Sequence, residues 1–278
     1  MPELPEVEVT RRGLLAPLTG RTIDRISWSA HRLRSAIPGD LLLAHIRGQR
    51  ILTVDRRAKY LLLRTASNAT LVIHLGMTGK LGLMAQAIPA HKHDHLILSL
   101  DDGMELRFND SRRFGAIAVW PATEAIACEQ AFSDREGLEP FGNEFTPKNL
   151  LRLARNRRAP VKSLLMNGRL IAGIGNIYAN ELLFAAKIHP LTPAGEISTR
   201  QWQRIITVTR QVLETAIAAG GATISDFLGV SGHPGYFQLQ FKVYGRQDLP
   251  CLRCSHSLIK TTLAGRATYH CPRCQPEP

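Results

Sequence analysis

Short runs of apolar and β-branched residues, separated by turn residues, dominate the first half of the chain. Runs of this length and composition are typical of strands. Because they follow one another closely, they predict an antiparallel β-sandwich or barrel, which we place in residues 1–132. The runs are RILTV (50–54), KYLLLRT (59–65), TLVIHLGM (70–77), HLILSL (95–100) and GAIAVW (115–120).

Helical spacing of apolar residues marks the start of the chain and much of its second half. Residues 5–15 mix apolar and charged positions in a way that predicts a short amphipathic helix entering the sandwich. In the second half, stretches containing glycine (172–176 and 218–227) interrupt a largely helical segment, residues 133–223. Its helices are predicted to begin at Thr146, Pro160, Asn176 and Ser198. The predicted fold class is α+β.

Charge and composition narrow the function. The 278 residues are 44% apolar, and 35 Lys and Arg oppose 23 Asp and Glu, giving a net charge of +12 and a pI near 10.0. So basic a chain favours nucleic acid as a partner. No apolar run is long enough for a membrane span, and the acidic start is unlike a signal peptide, so we expect a cytoplasmic protein.

The positive charge is concentrated between Glu144 and Glu181, a stretch without any acidic residue. Two interpretations of this stretch remain open, a phosphate-binding surface and an ordinary solvated face. Its basic residues are Lys148, Arg152, Arg155, Arg157, Arg158, Lys162 and Arg169.

Four cysteines form two CxxC pairs near the C-terminus. Two such pairs separated by 16 residues predict a tetrahedral Zn²⁺ site on a small β-ribbon, which we place in residues 243–278 after a connecting loop at 224–242. Two disulfides are the alternative, which a cytosolic location disfavours. Four protein ligands leave no open position, so the single zinc should be structural. The ligands are Cys251, Cys254, Cys271 and Cys274.

Two residues remain to be interpreted beside the two CxxC pairs, an arginine between the pairs and the fifth cysteine. Arg266 lies between the pairs, near the predicted tip of the ribbon, where an arginine is suited to a phosphate contact. The fifth cysteine, Cys128, is interpreted as buried filler.

The first residues, MPELPE, admit two interpretations. If Met1 is removed, Pro2 carries a free secondary amine, and an α-amine with a pKa of about 7.7 to 8.0 is partly neutral and nucleophilic at physiological pH. Glu3 could then move protons, and Glu6 could support the terminus. The alternative is an ordinary helix start, because Pro and Glu are common first-turn residues.

The motifs taken together resemble the bacterial formamidopyrimidine-DNA glycosylase family. They occur in the family's order along the whole chain, and Leu4 distinguishes the start from the PEGPE of the related endonuclease VIII branch. The motifs are PELPEVE (2–8), RRAKYLL (56–62), HLGMTG (74–79), SRRFG (111–115), GIGNIYANE (173–181), PGYF (234–237) and the two CxxC pairs.

The resemblance implies a bifunctional base-excision repair enzyme. Such an enzyme removes 8-oxoguanine and formamidopyrimidines from double-stranded DNA and cuts the abasic strand by β,δ-elimination, with one structural zinc as its only cofactor. It implies that Pro2 is the nucleophile, Glu3 the proton donor, Lys59 the residue serving β-elimination, and Arg266 the residue of δ-elimination and phosphate clamping. A monomer in the bacterial cytoplasm, bound to nucleoid DNA, is expected.

Further residues match DNA contacts of the family, whose helical domain contains a helix-two-turns-helix element. Met77, Arg112 and Phe114 match the side chains that fill the hole left by the flipped nucleotide, with Arg112 favouring C as the opposite base. Backbone contacts are implied for His93, Arg157, Lys162 and Asn176. Residues 223–236 correspond to the loop that covers the everted base.

Two sequence features affect the hole-filling segment. Core packing is the alternative for Met77, but Gly76 and Gly79 favour a loop. The family usually has proline before its two arginines, whereas Ser111 stands here, so this loop is expected to be less stiff.

Two alternatives differ from oxidised-purine repair. One is a relative that prefers oxidised pyrimidines, and the other is a catalytically silent DNA-binding protein. Pro2, Glu3 and Lys59 argue against the silent protein, because DNA binding alone requires none of them.

Overall fold

The computed structural model describes residues 2–221 and 241–278. Contacts divide these residues into an N-terminal unit, residues 2–134 with 219–221, and a C-terminal unit, residues 135–218 with 241–278. No helix in the described ranges is long and apolar enough to cross a membrane. The loop expected at 223–236 lies outside the described residues.

The N-terminal unit is built on two antiparallel sheets of four strands each. Its elements are α1 (Leu4–Leu18), β1 (Ile23–Trp28), α2 (Gly39–His45), β2 (Ile51–Arg57), β3 (Tyr60–Thr65), β4 (Thr70–His74), β5 (Lys80–Ala85), β6 (Asp94–Leu100), β7 (Met104–Asn109), β8 (Ala116–Trp120) and α3 (Ala125–Arg135). The strand order is β1-β6-β7-β5 in one sheet and β2-β3-β4-β8 in the other.

One apolar core joins the two sheets and α1. Leu61 and Leu63 of β3 pair in register with Ile73 and Leu71 of β4, and all four side chains enter this core because residues two apart on a strand share a face. Phe108 of β7 enters it from the other sheet. The predicted antiparallel sandwich is confirmed.

All five predicted strands occur, although β4 ends at His74 and therefore stops before Met77. The sequence pattern did not predict β1, β5 or β7, nor the helices α2 and α3.

The C-terminal unit is mainly helical and ends in a two-stranded ribbon. The predicted helix starts are confirmed: Thr146 caps the first helix by accepting the Asn149 N–H at 3.3 Å, and Pro160 precedes the second. The elements are α4 (Pro147–Ala154), α5 (Val161–Leu165), α6 (Asn176–Ala186), α7 (Thr199–Ala218), β9 (Ile259–Leu263) and β10 (Arg266–His270).

A buried carboxylate fixes the chain where it enters the ribbon. Glu181 of α6 accepts the backbone N–H groups of Lys242, Val243 and Tyr244 at 2.9, 3.0 and 2.8 Å. Burial raises the pKa of Glu181, although these N–H groups oppose the shift. The segment before the ribbon is thus held by hydrogen bonds in place of regular secondary structure.

Candidate active site and nucleic-acid interface

Pro2 directly precedes the N-cap of α1. Glu3 is that cap: its N–H donates to Oε2 of Glu6 at 2.8 Å, and its carboxylate accepts the Glu6 N–H, which completes a capping box. Residues Glu3 and Glu6 are only 2% and 1% exposed. The helix-start interpretation is therefore correct for the local structure, and the same arrangement holds two buried carboxylates beside Pro2.

Gly221 is a neighbour of this arrangement that the sequence pattern did not reveal. Its φ of +79° lies in the left-handed region, and a Cβ at this position would lie 3.3 Å from Cγ and Oε1 of Glu6. A side chain here would press on the Glu6 carboxylate. The paired glycines at 220 and 221 were the only signal in the sequence.

Lys59 occupies a two-residue turn between β2 and β3. Its predecessor Ala58 has a φ of +53°, which is unusual for a residue other than glycine. Arg56 braces the turn by donating to the Ala58 carbonyl at 3.0 Å, and it also donates to Glu8 of α1 at 3.2 Å. The helix that begins after Pro2 is thus linked through one arginine to the turn that carries Lys59.

The Glu8 carboxylate has further arginine partners on its own helix. Burial raises its pKa, but hydrogen bonds from Arg11 and Arg12 outweigh this effect, so the net pKa of Glu8 is lowered. Glu8 therefore stays ionised and retains its attraction for Arg56.

His74 is a neutral side chain at the end of β4. Burial, together with the positive charges of Arg34 and Lys59, lowers the pKa of His74 to about 4. Its Nδ1 accepts the Gly76 N–H at 3.0 Å. His74 thereby fixes the start of the loop that carries Met77.

Met77, Arg112 and Phe114 project from two adjoining loops. Met77 is 38% and Phe114 is 41% exposed, and the Arg112 guanidinium lies 4.9 Å from the centre of the Phe114 ring. The exposure excludes core packing for Met77. The loops touch at Gly76, where a Cβ would lie 2.4 Å from the Gly115 nitrogen.

The residues expected to contact the DNA backbone are found in different settings. His93 is half-buried just before β6, and Arg157 is exposed after α4. Asn176 is the first residue of α6, and its Oδ1 is buried without a hydrogen-bond partner among the described residues.

Lys162 has a setting unlike an exposed phosphate ligand. It is 1% exposed, and its ammonium donates to the Ala267 carbonyl at 2.9 Å and to Oγ1 of Thr268 at 2.7 Å. These acceptors directly follow Arg266, the exposed first residue of β10. Lys162 thus attaches α5 to the ribbon strand that bears Arg266.

The four cysteines of the two CxxC pairs converge as a metal site requires. Their sulfur atoms all lie within 4.8 Å of one another. The Cys251–Cys274 and Cys254–Cys271 sulfur distances are 4.0 and 3.4 Å, near the roughly 3.8 Å expected around a tetrahedral zinc. The cysteines are not disulfide-bonded, and they would hold one structural zinc with no ligand position left for chemistry.

Family models match three parts of the chain. Residues 1–117 match the formamidopyrimidine-DNA glycosylase N-terminal domain, residues 137–228 the H2TH domain of the same enzyme, and residues 248–276 a zinc finger found in FPG and IleRS. A formamidopyrimidine-DNA glycosylase from Alkalilimnicola ehrlichii is 46% identical over 281 residues, covering 99% of this chain and 100% of the relative. The chain belongs to the formamidopyrimidine-DNA glycosylase family.

Membership of the formamidopyrimidine-DNA glycosylase family makes the chain a DNA glycosylase with AP lyase activity. The Acidithiobacillus ferrooxidans enzyme of the family is 45% identical over 99% of this chain and 100% of its own.

Solved structures of the family agree with the fold. MutM (FPG) from Thermus thermophilus is 37% identical with a TM-score of 0.85, and the match covers both chains fully. A Lactococcus lactis FPG mutant, in complex with DNA containing Fapy-dG, is 31% identical with a TM-score of 0.89, covering 99% of this chain and 100% of the mutant chain.

Proposed function

We propose that this glycosylase removes oxidised purines, 8-oxoguanine and formamidopyrimidines, from duplex DNA and then cleaves the strand by β,δ-elimination. It acts as a monomer on the nucleoid DNA of a bacterial cytoplasm, with C preferred opposite the lesion. The Lactococcus lactis relative was crystallised with DNA containing Fapy-dG, which supports the substrate class.

The N-terminal amine of Pro2 is the nucleophile once Met1 is removed. Its lone pair forms a bond to the sugar C1′, while the electron pair of the glycosidic bond leaves with the base, which takes up a proton. Loss of the amine proton and opening of the C1′–O4′ bond give an iminium. An α-amine with a pKa of about 8 supplies enough neutral form for the attack.

Glu3 is the proton donor for the leaving base and the sugar O4′. Its place as N-cap of α1 fixes its buried side chain next to Pro2, where a carboxyl group can pass a proton to the departing base. Glu6 holds the Glu3 backbone and so supports the terminus. The observation that carries the proposal is this capping box, because it orders two buried carboxylates beside the terminal proline.

Lys59 and Arg266 serve the later steps. Lys59 assists β-elimination, in which loss of a C2′ proton expels the 3′ phosphate. Arg266 grips a phosphate near the lesion for the second elimination, which expels the 5′ phosphate. Clamping suits a guanidinium, because it stays charged and offers several donors to one phosphate.

DNA binding combines phosphate contacts with filling of the duplex. His93, Arg157 and Lys162 contact or support the backbone, and the α6 N-terminus at Asn176 offers N–H groups to a phosphate. Met77 and Phe114 enter the stack as apolar wedges, while Arg112 hydrogen bonds to the orphaned base. Neutralisation of several phosphates should make the affinity fall steeply with salt.

Borohydride trapping tests the mechanism. The zinc-loaded protein is mixed with a duplex containing 8-oxoguanine opposite C, borohydride is added, and the cross-linked peptide is identified by mass spectrometry. A cross-link at Pro2, with Met1 absent, is expected, and the undamaged duplex and N-terminally acetylated protein should give none. A cross-link at any lysine would overturn the assignment of the nucleophile, and the absence of any adduct would favour the binding-only alternative.

Oxidised pyrimidines are a second candidate substrate class. The Lactococcus lactis FPG was also crystallised with DNA containing an oxidised pyrimidine, at 31% identity and a TM-score of 0.89. Direct competition between duplexes bearing 8-oxoguanine and an oxidised pyrimidine separates the two. Faster cleavage of the strand that carries 8-oxoguanine is expected. Faster cleavage of the strand with the oxidised pyrimidine would show that oxidised pyrimidines are the preferred substrates.

A further inference from the structure

A fully buried carboxylate, Asp110, lies between the two loops that carry Met77, Arg112 and Phe114. Its Oδ1 accepts the Thr78 hydroxyl at 2.5 Å and the Arg112 N–H at 3.3 Å, and its Oδ2 accepts the Gly115 N–H at 2.7 Å. Asp110 is 0% exposed. Each of its three donors adjoins or belongs to one of the exposed residues.

The Thr78 hydroxyl completes the link between the loops. It donates to Asp110 and also accepts the Arg112 N–H at 3.2 Å, so that N–H is shared between two oxygens. Met77 precedes Thr78 directly. Displacement of one loop would therefore break hydrogen bonds in the other.

Asp110 is itself rooted in the sandwich. It follows β7, its N–H donates to the His93 carbonyl at 3.0 Å, and its own carbonyl lies 3.0 Å from Nε2 of His95. The other ring nitrogen of His95, Nδ1, lies 2.8 Å from the Ser29 hydroxyl. These hydrogen bonds anchor Asp110 to the sheet at β6 and β7, so its carboxylate has a fixed position.

Both carboxylate oxygens of Asp110 must act as hydrogen-bond acceptors, because each of them faces donors. A buried charge is costly, and it is retained where strong donors surround it. Asparagine has nearly the same shape but would direct an NH₂ group at either the Gly115 N–H or the Thr78 and Arg112 donors. One of the two loops would then lose its anchor.

We propose that Asp110 is a positioning residue that holds Met77, Arg112 and Phe114 as one unit for hole filling and opposite-base reading. The proposal rests on the function proposed above for those three side chains. Asp110 acts through them and does not touch the reacting atoms.

The test compares duplex and single-stranded substrates for Asp110→Asn. A single strand with an abasic site has no partner base and no hole to fill, so its cleavage and trapping should equal those of the wild type. Excision from the 8-oxoguanine duplex should fall about tenfold to a hundredfold, the size of effect expected for misplaced groups. The ratio of excision opposite C to excision opposite A should fall as well.

Two further variants keep the test decisive. Thr78→Val removes only the hydroxyl link. It should lower duplex excision relative to single-strand cleavage, and the C-to-A excision ratio, by smaller factors than Asp110→Asn. This variant keeps the test possible if Asp110→Asn does not fold. Asp101→Asn is the matched control, because Asp101 accepts a backbone N–H, that of Thr22, at 3.0 Å on a turn of the same sheet. Melting temperature and zinc content establish folding for every variant.

Equal losses on duplex and single strand, or an unchanged C-to-A ratio, would overturn the role of Asp110. The first outcome requires a wild-type enzyme that is trapped on the single strand, whereas the C-to-A ratio is measured on duplexes alone. Failure of the wild type to form any adduct would instead refute the proposed function.

Discussion

In both units a buried carboxylate fixes an irregular segment of chain, Asp110 in the N-terminal unit and Glu181 in the C-terminal unit, but the surroundings of the two carboxylates differ. Asp110 accepts from Thr78, Arg112 and Gly115 next to the large apolar core of the sandwich. Glu181 accepts three N–H groups just before the zinc ribbon, whose own apolar cluster is small. The comparison shows that similar hydrogen bonding serves two purposes, precise placement of loops in one unit and attachment of a metal-dependent element in the other.

The ribbon should therefore depend on its metal far more than the sandwich loops depend on any single contact. The buried apolar residues next to its cysteines include Leu258 and Tyr269, which are too few to replace a zinc site worth roughly 10 to 16 kcal/mol. In the sandwich, by contrast, loss of one acceptor leaves the core intact.

The largest expected effect is loss of the ribbon in Cys251→Ser. Zinc content should fall to the background level and strand cleavage should be abolished, while the circular dichroism signal of the sandwich is retained. Cys128→Ser is the matched control and should keep its zinc. An unchanged metal content in Cys251→Ser would contradict the four-cysteine site.

Lys162→Met should weaken the attachment of the ribbon without removing the metal. The substitution leaves the Ala267 carbonyl and the Thr268 hydroxyl without their ammonium donor, which costs about 1 to 3 kcal/mol. Affinity for damaged duplex should fall by about tenfold or more, as titration by fluorescence anisotropy would show. Lys260→Met, on the exposed face of β9, is the control, and equal affinities for the two variants would refute a special role for Lys162.

Acid should affect the Met77 loop through His74. Because its folded pKa of about 4 lies below the ordinary value of 6.5, the unfolded chain takes up a proton first. The stability contributed by the neutral ring is present above pH 6.5 and is lost as the pH falls towards 4, by up to about 3 kcal/mol.

His74→Asn isolates this contribution, because its amide oxygen can still accept the Gly76 N–H but does not titrate. Urea unfolding at pH 7 and pH 5 should show a smaller acid loss in the variant than in the wild type. Identical losses would assign the acid sensitivity to other groups, and zinc content is followed in parallel so that loss of the ribbon is not mistaken for it.

The smallest effect is expected for Ser111→Pro. Ser111 is the second residue of a turn closed by the Arg113 N–H and the Asp110 carbonyl at 3.3 Å, a position that favours proline. The substitution should stabilise the protein by about 0.4 to 1 kcal/mol and leave excision opposite C unchanged. A fall in melting temperature would show that the turn is incompatible with proline.

Sequence predicted the elements whose apolar pattern is simple. The helices beginning near Thr146 and Ser198 were found from their helical spacing of apolar residues, and the strands around Leu61 and Leu71 because they are nearly continuous apolar runs that are buried at most positions. β1 was missed because most of its residues are exposed, and β7 because Glu105 and Arg107 interrupt its apolar residues although they pair with each other at 2.7 Å.

In the candidate site, only the features that lie within short sequence motifs could be predicted. Convergence of the four cysteines follows from their spacing, and the exposure of Met77 was indicated by Gly76 and Gly79. The links made by Arg56 and Asp110 join residues far apart in sequence, so no local pattern identified them. For the same reason the buried setting of Lys162 could not be distinguished from that of an exposed lysine.

The enclosure of Lys162 also makes it a natural reporter of ribbon opening. Lys162 is 1% exposed and its ammonium donates to two oxygens, so it is shielded from amine-reactive reagents, whereas Lys260 on the ribbon is exposed. The rate at which Lys162 becomes modified relative to Lys260 therefore measures how often the ribbon detaches from α5. The modification rate of this one buried amine can be measured in the intact enzyme, with and without DNA, and reports how often the ribbon separates from α5 in each case.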